Sequence, residues 1–182
     1  MSQNAQITRC RQNIPCVILI GMPGAGKTTI GKALAKRLDY AYIDSDHLIE
    51  AAYGTRLQNV TDATDKEHFL DLECTMIKAI RLCRCVIGTG GSVVYRSDAM
   101  EHLKTLGTIV YLEVPFETIL RRISFHPDRG IAIGPDQTIE DIFHEREELY
   151  NRWSDISCKN SSMSVRDTVN RICKMLPQEF LF

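Results

Sequence analysis

The segment GMPGAGKTT, from Gly21 to Thr29, joins an apolar run, CVILI, to an amphipathic segment, IGKALAKRL. A short continuous apolar run that ends at glycine is typical of a buried strand, and the spacing of the later segment is typical of a helix. Glycines between the two let the backbone wrap tightly with its N–H groups turned inward. The junction therefore predicts a strand, a tight loop and a helix, which together begin an α/β unit.

The same segment completes the Walker A pattern G-x-x-x-x-G-K-T in the strand-loop-helix context that this pattern requires. Inward-turned N–H groups and the positive N-terminal end of the helix suit phosphate oxygens. We expect Lys27 to reach the β- and γ-phosphates as a catalytic group and Thr28 to hold Mg²⁺. The predicted nucleotide-binding residues are Gly21, Gly24, Ala25, Gly26, Lys27, Thr28 and Thr29. The chain is therefore predicted to bind ATP or GTP with Mg²⁺.

Short apolar runs alternate with longer helical patterns along the rest of the chain. Because apolar residues occupy consecutive positions in each run, helices are expected on both faces of the sheet. This alternation predicts a doubly wound, largely parallel α/β sheet. We expect residues 1–14 to form an arm and residues 15–182 a single domain. The predicted strands are Val17 to Ile20, Ala41 to Ile43, Cys85 to Ile87, Ile109 to Leu112 and a weaker fifth, Ile156 to Cys158.

One long segment interrupts this alternation. Between Phe125 and Gln137 the chain reads FHPDRGIAIGPDQ, with two prolines and two glycines. A loop of this length in a compact domain is typical of a lid or a binding loop, or of a tolerated insertion. Thr138 and Asp141 follow it and resemble a capping box with Asp in place of Glu, which predicts the start of the next helix.

The composition excludes several classes of partner. The chain has 22 basic and 23 acidic residues without a block of like charge, so we expect no binding to nucleic acid or to an acidic membrane surface. Its seven cysteines include no C-x-x-C pair and no zinc-ligand spacing, which indicates reduced thiols. No signal-peptide core or membrane-span pattern is present. We expect a cytoplasmic monomer that acts on a small molecule.

Two carboxylates follow the second predicted strand. In YIDSDHLIE, Asp44 and Asp46 lie two residues apart, so on extended backbone both would face the same way. The carboxyl ends of the strands line the ligand crevice of a doubly wound sheet. One carboxylate could hold Mg²⁺ through water, and the other could accept a proton from an acceptor hydroxyl. The alternative is that either aspartate caps the helix that follows.

Two charged residues fall on apolar helical stripes. Arg146 lies on the stripe of the helix that starts at Ile139, and Glu73 lies on the stripe of FLDLECTMIKAI. A buried guanidinium needs an anion, which either the protein or a ligand supplies. An internal salt bridge between Glu73 and Arg146 and a ligand-binding role for Arg146 both remain open. Gly90 and Gly91, after the third strand, are equally consistent with a tight turn and with a binding loop.

The Walker A pattern, the Asp-x-Asp, the glycine pair, a lid with an arginine and ERxxLY together resemble the shikimate kinase family of P-loop kinases. The resemblance runs from about Val17 to at least Trp153. It implies a three-layer α/β/α fold with a five-stranded parallel sheet, nucleoside-monophosphate-kinase-like, with a lid. It also implies ATP-dependent phosphorylation of a small hydroxylated metabolite, with shikimate as the leading acceptor. Lys27, Mg²⁺ and the lid arginine Arg129 would then stabilise the transferring phosphoryl group.

Residues at matching positions take on the family's roles through this resemblance. Asp46 resembles the aspartate at the acceptor hydroxyl, and Asp44 resembles its metal-side partner. Arg146, in HEREELY, matches the arginine that grips the shikimate carboxylate. The remaining implied contacts are Gly90 and Gly91 to the substrate, Arg129 to the phosphates and Arg122 to adenine.

Three positions depart from the family pattern. Leu70, in FLDLE, stands where FRxxE has a second carboxylate-binding arginine, Ser92 replaces the third glycine, and Gly130 replaces a proline after the lid arginine. A charge-assisted hydrogen bond contributes about 1.5 to 3 kcal/mol, so the leucine predicts weaker shikimate binding or a different acceptor. Whether another arginine, such as Arg56 or Arg96, replaces the missing contact stays open.

Alternatives to shikimate phosphorylation come from within and outside the kinase class. Gluconate-kinase-like enzymes, or other small-molecule kinases of altered acceptor specificity, share the Walker A pattern and the fold. An adenylate-kinase-like enzyme would need several lid arginines to hold a second nucleotide, and this lid carries only Arg129. A catalytically silent nucleotide-binding module is disfavoured because Lys27, Thr28 and both aspartates are intact.

Overall fold

A five-stranded parallel sheet forms the centre of the computed structural model, which describes residues 14–124, 137–160 and 163–180. Its strands are β1 (Cys16–Ile20), β2 (Ala41–Asp44), β3 (Cys85–Gly88), β4 (Gly107–Glu113) and β5 (Ile156–Lys159). Their order across the sheet is β2-β3-β1-β4-β5, and every neighbouring pair is parallel. All five predicted strands and the predicted parallel α/β sheet are confirmed.

Helices surround the sheet in the described part of the chain. They are α1 (Lys27–Leu38), α2 (Ser45–Tyr53), α3 (Leu57–Asp62), α4 (Lys66–Ala79), α5 (Ser97–Leu106), α6 (Phe116–Ser124), α7 (Ile139–Trp153) and α8 (Val165–Met175). The first crossover runs from β1 to the edge strand β2, whereas later crossovers run in the opposite direction across the sheet. Because such crossovers are right-handed, this reversal places helices on both faces. Accordingly, α1 packs against α8, and α4 packs against α5.

The central strands are apolar at consecutive positions because both of their faces are covered. All five residues of β1 and all four of β3 are buried. The edge strand β2 is less covered, and its residues are exposed or partly exposed. The carboxyl ends of β1, β2 and β3 therefore lie side by side at one edge of a well-packed sheet, which gives the loops that follow them a rigid base.

Helix α7 begins where the sequence predicts it. The Thr138 hydroxyl accepts a hydrogen bond from the Asp141 N–H, and the Asp141 carboxylate accepts one from the Thr138 N–H, so the capping box with Asp is confirmed. The predicted lid up to residue 136, with Arg129 and Gly130, lies outside the described residues. Across the ranges that the structure covers, no helix has the length and apolar character needed to cross a bilayer.

Candidate active site

Three loops meet at the carboxyl edge of the sheet. The Walker A loop follows β1, Asp44 ends β2, and the Gly90-Gly91 pair follows β3. They line a cavity of about 470 Å³, a size typical of small-molecule sites. The cavity lies where the strand order reverses around β1, which is the usual position of the ligand crevice in a doubly wound sheet.

The Walker A loop has the conformation that its glycines allow. Gly21, Gly24 and Gly26 have φ values of 143°, 84° and 95°, a region that other residues rarely adopt. Gly26 directly precedes α1, so the first N–H groups of that helix are presented to the loop. The Lys27 ammonium donates hydrogen bonds to the carbonyl oxygens of Gly21 at 2.6 Å and Met22 at 3.0 Å. These bonds hold the lysine against the Walker A loop, with which it is predicted to bind the phosphates.

Asp44 combines the two roles that the sequence left as alternatives. Its Oδ1 accepts a hydrogen bond from the Asp46 N–H at 3.2 Å and so caps α2. Its Oδ2 accepts hydrogen bonds from the hydroxyls of Thr28 at 3.2 Å and Tyr42 at 2.9 Å. The carboxylate therefore lies beside the hydroxyl of the Walker A threonine, as a shared metal site would require.

Asp46 lies on a helix, and the expectation of extended backbone at this residue is wrong. Because Asp44 caps the helix, α2 begins at Ser45 and Asp46 occupies its first turn. The Asp46 carboxylate nevertheless lines the cavity together with Lys27. Burial, reinforced by the charge of Asp44, raises the pKa of Asp46 to about 6. The group is ionised near neutral pH yet well matched to accept a proton.

Glu73 is a buried carboxyl group that faces the same site. Its side chain is 1% exposed, and its Oε2 accepts a hydrogen bond from the Ser92 hydroxyl at 2.7 Å. Its Oε1 is buried without a hydrogen-bond partner among the described residues. A side chain at Gly90 would collide with that oxygen, which gives a steric reason for glycine there. The internal salt bridge to Arg146 is therefore not formed, and Ser92, a departure from the family pattern, is the partner instead.

Burial and the nearby charge of Asp46 raise the pKa of Glu73 from its ordinary value of 4.5 to about 7. A raised carboxyl pKa stabilises the fold below pH 4.5, and this contribution is lost as the pH rises through about 7. We expect Glu73→Gln to raise the free energy of unfolding by about 3 kcal/mol at pH 8.5 and to change it little at pH 4.5. Urea unfolding of both proteins at the two pH values measures this, and an equal effect at both would contradict it.

Arg146 is held by an aromatic side chain rather than by Glu73. The arginine is 1% exposed, and its Nε donates a hydrogen bond to the Tyr95 hydroxyl at 3.2 Å. Its guanidinium carbon lies over the Tyr95 ring, 5.2 Å from the ring centroid. A Cβ at Gly91 would lie 3.1 Å from an Nη atom of Arg146. Among the described residues, Arg146 lies behind Gly91 and is not part of the cavity lining. Its contact with a substrate carboxylate stays a prediction.

A second cavity, of about 250 Å³, lies on the other side of the Walker A loop. The Arg122 guanidinium donates a hydrogen bond to the Gly24 carbonyl at 2.9 Å and lines this cavity. Ala25, Gly26 and Thr29 line it as well. The structure therefore brings Arg122 to the predicted nucleotide-binding loop, and its contact with adenine stays a prediction.

Three supporting residues had no assigned role in the sequence interpretation. The Ser45 hydroxyl accepts a hydrogen bond from the Gly90 N–H at 3.0 Å, which ties the loop after β3 to the helix that carries Asp46. The Tyr150 hydroxyl donates to the Gly91 carbonyl at 2.6 Å, and Tyr42 donates to Asp44. The only sequence signal for Tyr150 is its place at the end of ERxxLY, and we find none for the other two.

Comparisons with known proteins agree with this geometry. The family model described as shikimate kinase matches residues 23–177. The shikimate kinase of Chromohalobacter salexigens is 35% identical over 166 residues, covering 90% of this chain and 92% of that protein. The shikimate kinase of Neisseria gonorrhoeae is 34% identical over 163 residues, covering 88% and 95%.

Solved structures show the same similarity. A shikimate kinase from Acinetobacter baumannii in complex with shikimate superposes with a TM-score of 0.81 at 26% identity, covering 92% of this chain and 96% of that one. The likeness confirms the three-layer P-loop fold of the nucleoside-monophosphate-kinase type. With the matched Walker A loop and the family model that spans most of the sequence, it follows that the chain belongs to the shikimate kinase family and is an ATP-dependent kinase that phosphorylates a hydroxyl group.

Proposed function

We propose that this protein phosphorylates shikimate, converting shikimate and ATP to shikimate 3-phosphate and ADP. The observation that carries this proposal is the cavity of about 470 Å³ in which the Walker A lysine, Lys27, and the predicted proton acceptor, Asp46, face the same space. The similarity to an enzyme solved in complex with shikimate supports the choice of acceptor.

The chemistry follows from what surrounds that space. The acceptor hydroxyl oxygen forms a bond to the γ-phosphorus of ATP, the bond from that phosphorus to its bridging oxygen breaks, and ADP leaves. The hydroxyl proton passes to the Asp46 carboxylate, whose pKa of about 6 leaves it ionised near neutral pH. Lys27 exchanges its contacts with the loop carbonyls for the β- and γ-phosphates. Arg129 would close over the phosphates from the proposed lid at residues 125–137.

The residues present fit a Mg²⁺ ion. The Thr28 hydroxyl and the Asp44 carboxylate lie 3.2 Å apart, and both are hard oxygen ligands. Mg²⁺ usually takes few protein ligands and completes its shell with water and phosphate oxygens, so two groups suffice. When bound, the ion neutralises charge on the phosphates. In our proposal Asp44 and Thr28 hold it, and Gly90, Gly91 and Arg146 contact the acceptor.

The organisation of the chain completes the proposal. Residues 15–182 would act as one domain with the lid, and residues 1–14 would form an arm. The near-neutral charge balance and the small cavity support a cytoplasmic monomer whose partner is a small molecule.

A different small hydroxylated metabolite is the second candidate acceptor, and Leu70 favours such a change of acceptor. The leucine is 2% exposed and is not among the described residues that line the cavity, so position 70 supplies no group that could pair with a carboxylate. A gluconate-kinase-like preference would be consistent with this loss. The nucleotide side of the site is unchanged under either acceptor.

Measurement of ADP release from Mg·ATP distinguishes shikimate from other acceptors directly. We expect saturable turnover with shikimate, with Lys27→Ala protein as the blank, and slower or no turnover with gluconate. Turnover with gluconate or another hydroxy acid, but not with shikimate, would move the function to the second candidate. ATP binding without ADP release for any acid would instead indicate a silent nucleotide-binding module.

A further inference from the structure

Arg56 and Arg96, the two arginines that could replace the missing contact, differ in what they touch. Arg96 forms two salt bridges within the fold. Its Nε contacts Asp71 and its Nη2 contacts Glu67, each at 2.8 Å. It is not among the described lining residues of the larger cavity. Arg56 does line that cavity, together with Asp46 and Glu73. Arg56 is thus the better placed of the two to meet an acceptor.

Arg56 is an unusual residue for the position that it occupies. It directly precedes α3 as the N-cap residue, where Ser, Thr, Asp and Asn are preferred, and its side chain makes no capping hydrogen bond. A positive charge at the N-terminal end of a helix is also unfavourable. The carboxylate of Glu50 accepts the hydrogen bond of the Leu57 N–H instead. Local stability therefore gives no reason for an arginine here.

The guanidinium of Arg56 is not used elsewhere in the described structure. It is exposed, and it makes no hydrogen bond or ion pair with any residue in the described ranges. An unpaired arginine on an open surface would be unremarkable, but this one lines a site where an organic acid must bind if the proposed function holds. A charge that serves neither the helix nor an ion pair is available for a ligand.

The charge of the cavity makes such a group necessary. Four carboxyl groups line it, and an anionic acceptor would be repelled by them unless cations offset their charge. These are Asp44, Asp46, Glu50 and Glu73. Of the lysines and arginines in the described lining, only Lys27 and Arg56 are present, and Lys27 belongs to the Walker A loop. Within the described lining, Arg56 is therefore the arginine that remains for the acceptor, in addition to Arg146, which lies behind Gly91.

We propose that Arg56 binds the carboxylate of the acceptor and supplies the contact that Leu70 does not make. This rests on the proposed function, because it requires an acceptor with a carboxylate. Arg56 then acts as a specificity-determining residue from the segment between α2 and α3, on a different element from α4, which carries Leu70. A guanidinium paired with a carboxylate discriminates acids from neutral polyols of the same shape.

The Arg56→Ser variant tests this assignment, because it should weaken binding of the acid without lowering the stability of the protein. We expect KM for the acid to rise about 10- to 100-fold, with kcat and the KM for ATP changed less than about twofold. Because serine is a better N-cap residue, the midpoint of thermal unfolding should stay equal or rise. The acid is whichever one the wild-type enzyme phosphorylates, with shikimate assayed first. Arg96→Ala is the matched control and should leave the KM for the acid unchanged.

A decarboxylated analogue of the acid gives a second measurement. Wild-type and Arg56→Ser enzymes should use this neutral alcohol with equal kcat/KM, because the group that Arg56 binds is gone. An unchanged KM for the acid in Arg56→Ser, an equal loss with the neutral analogue, or a rise confined to the KM for ATP would each overturn the assignment. If the wild-type enzyme phosphorylates an acid other than shikimate, the proposal of shikimate as the acceptor fails. The effect of Arg56→Ser on KM is then measured with that acid. If it phosphorylates none, both proposals fail.

Discussion

Asp46→Asn should slow phosphoryl transfer severely while leaving ATP binding intact. The amide keeps the size of the side chain but cannot accept the proton of the acceptor hydroxyl, and positioned proton acceptors typically contribute 10²- to 10⁴-fold. We therefore expect kcat to fall by about 10³-fold, measured as ADP release at saturating acceptor. The Kd for ATP should change little, because nucleotide contacts come from the Walker A loop.

The pH dependence of the wild-type enzyme provides a second check on Asp46. Because burial and Asp44 raise its pKa to about 6, kcat/KM for the acceptor should fall as the pH drops below about 6. Asp98→Asn is a matched control, since Asp98 lies on the surface, where it pairs with Lys78. A kcat within tenfold of wild type in the Asp46→Asn protein would show that another group accepts the proton.

Lys27→Ala should also remove activity, but through the nucleotide. The lysine is the predicted charge on the β- and γ-phosphates, and removing one electrostatic contact of this kind costs about 10²- to 10³-fold in kcat. We also expect the KM for ATP to rise, which separates this variant from Asp46→Asn. Measurement of kcat and both KM values by ADP release distinguishes the two.

The control for Lys27 comes from the same helix. Lys36 lies in the last turn of α1 and is exposed, so Lys36→Ala changes the same residue type away from the loop. Its kinetics should match those of the wild type. Near-normal turnover in Lys27→Ala would mean that the loop acts through its backbone N–H groups and helix end alone.

Local patterns carried most of what could be predicted from the sequence. The Walker A loop depends on glycines within six positions, and the capping box of α7 depends on two residues three apart. The central strands β1 and β3 were recognisable because both of their faces are covered, which makes their residues uniformly apolar. These features need no knowledge of distant neighbours.

Asp46 shows where a local argument failed. The argument that the two carboxylates share a face requires extended backbone through Asp46, but Asp44 caps a helix that already begins at Ser45. Asp44 and Asp46 line one cavity because the helix begins directly at the end of β2, with Asp44 as its N-cap and Asp46 in its first turn. The two residues therefore do share one cavity, although the geometric premise behind that expectation was wrong.

By itself, the sequence determined the phosphate-binding loop, the parallel sheet and the burial of Glu73 and Arg146, since periodicity and short motifs report which face of an element is covered. Only the tertiary structure decided what the buried groups contact. Periodicity indicates that a side chain faces inward but not which side chain it meets. The tertiary structure brings α4, α7 and the segments around them together. It thereby shows that Glu73 contacts Ser92, that Arg146 contacts Tyr95, and that Arg56 lines the cavity.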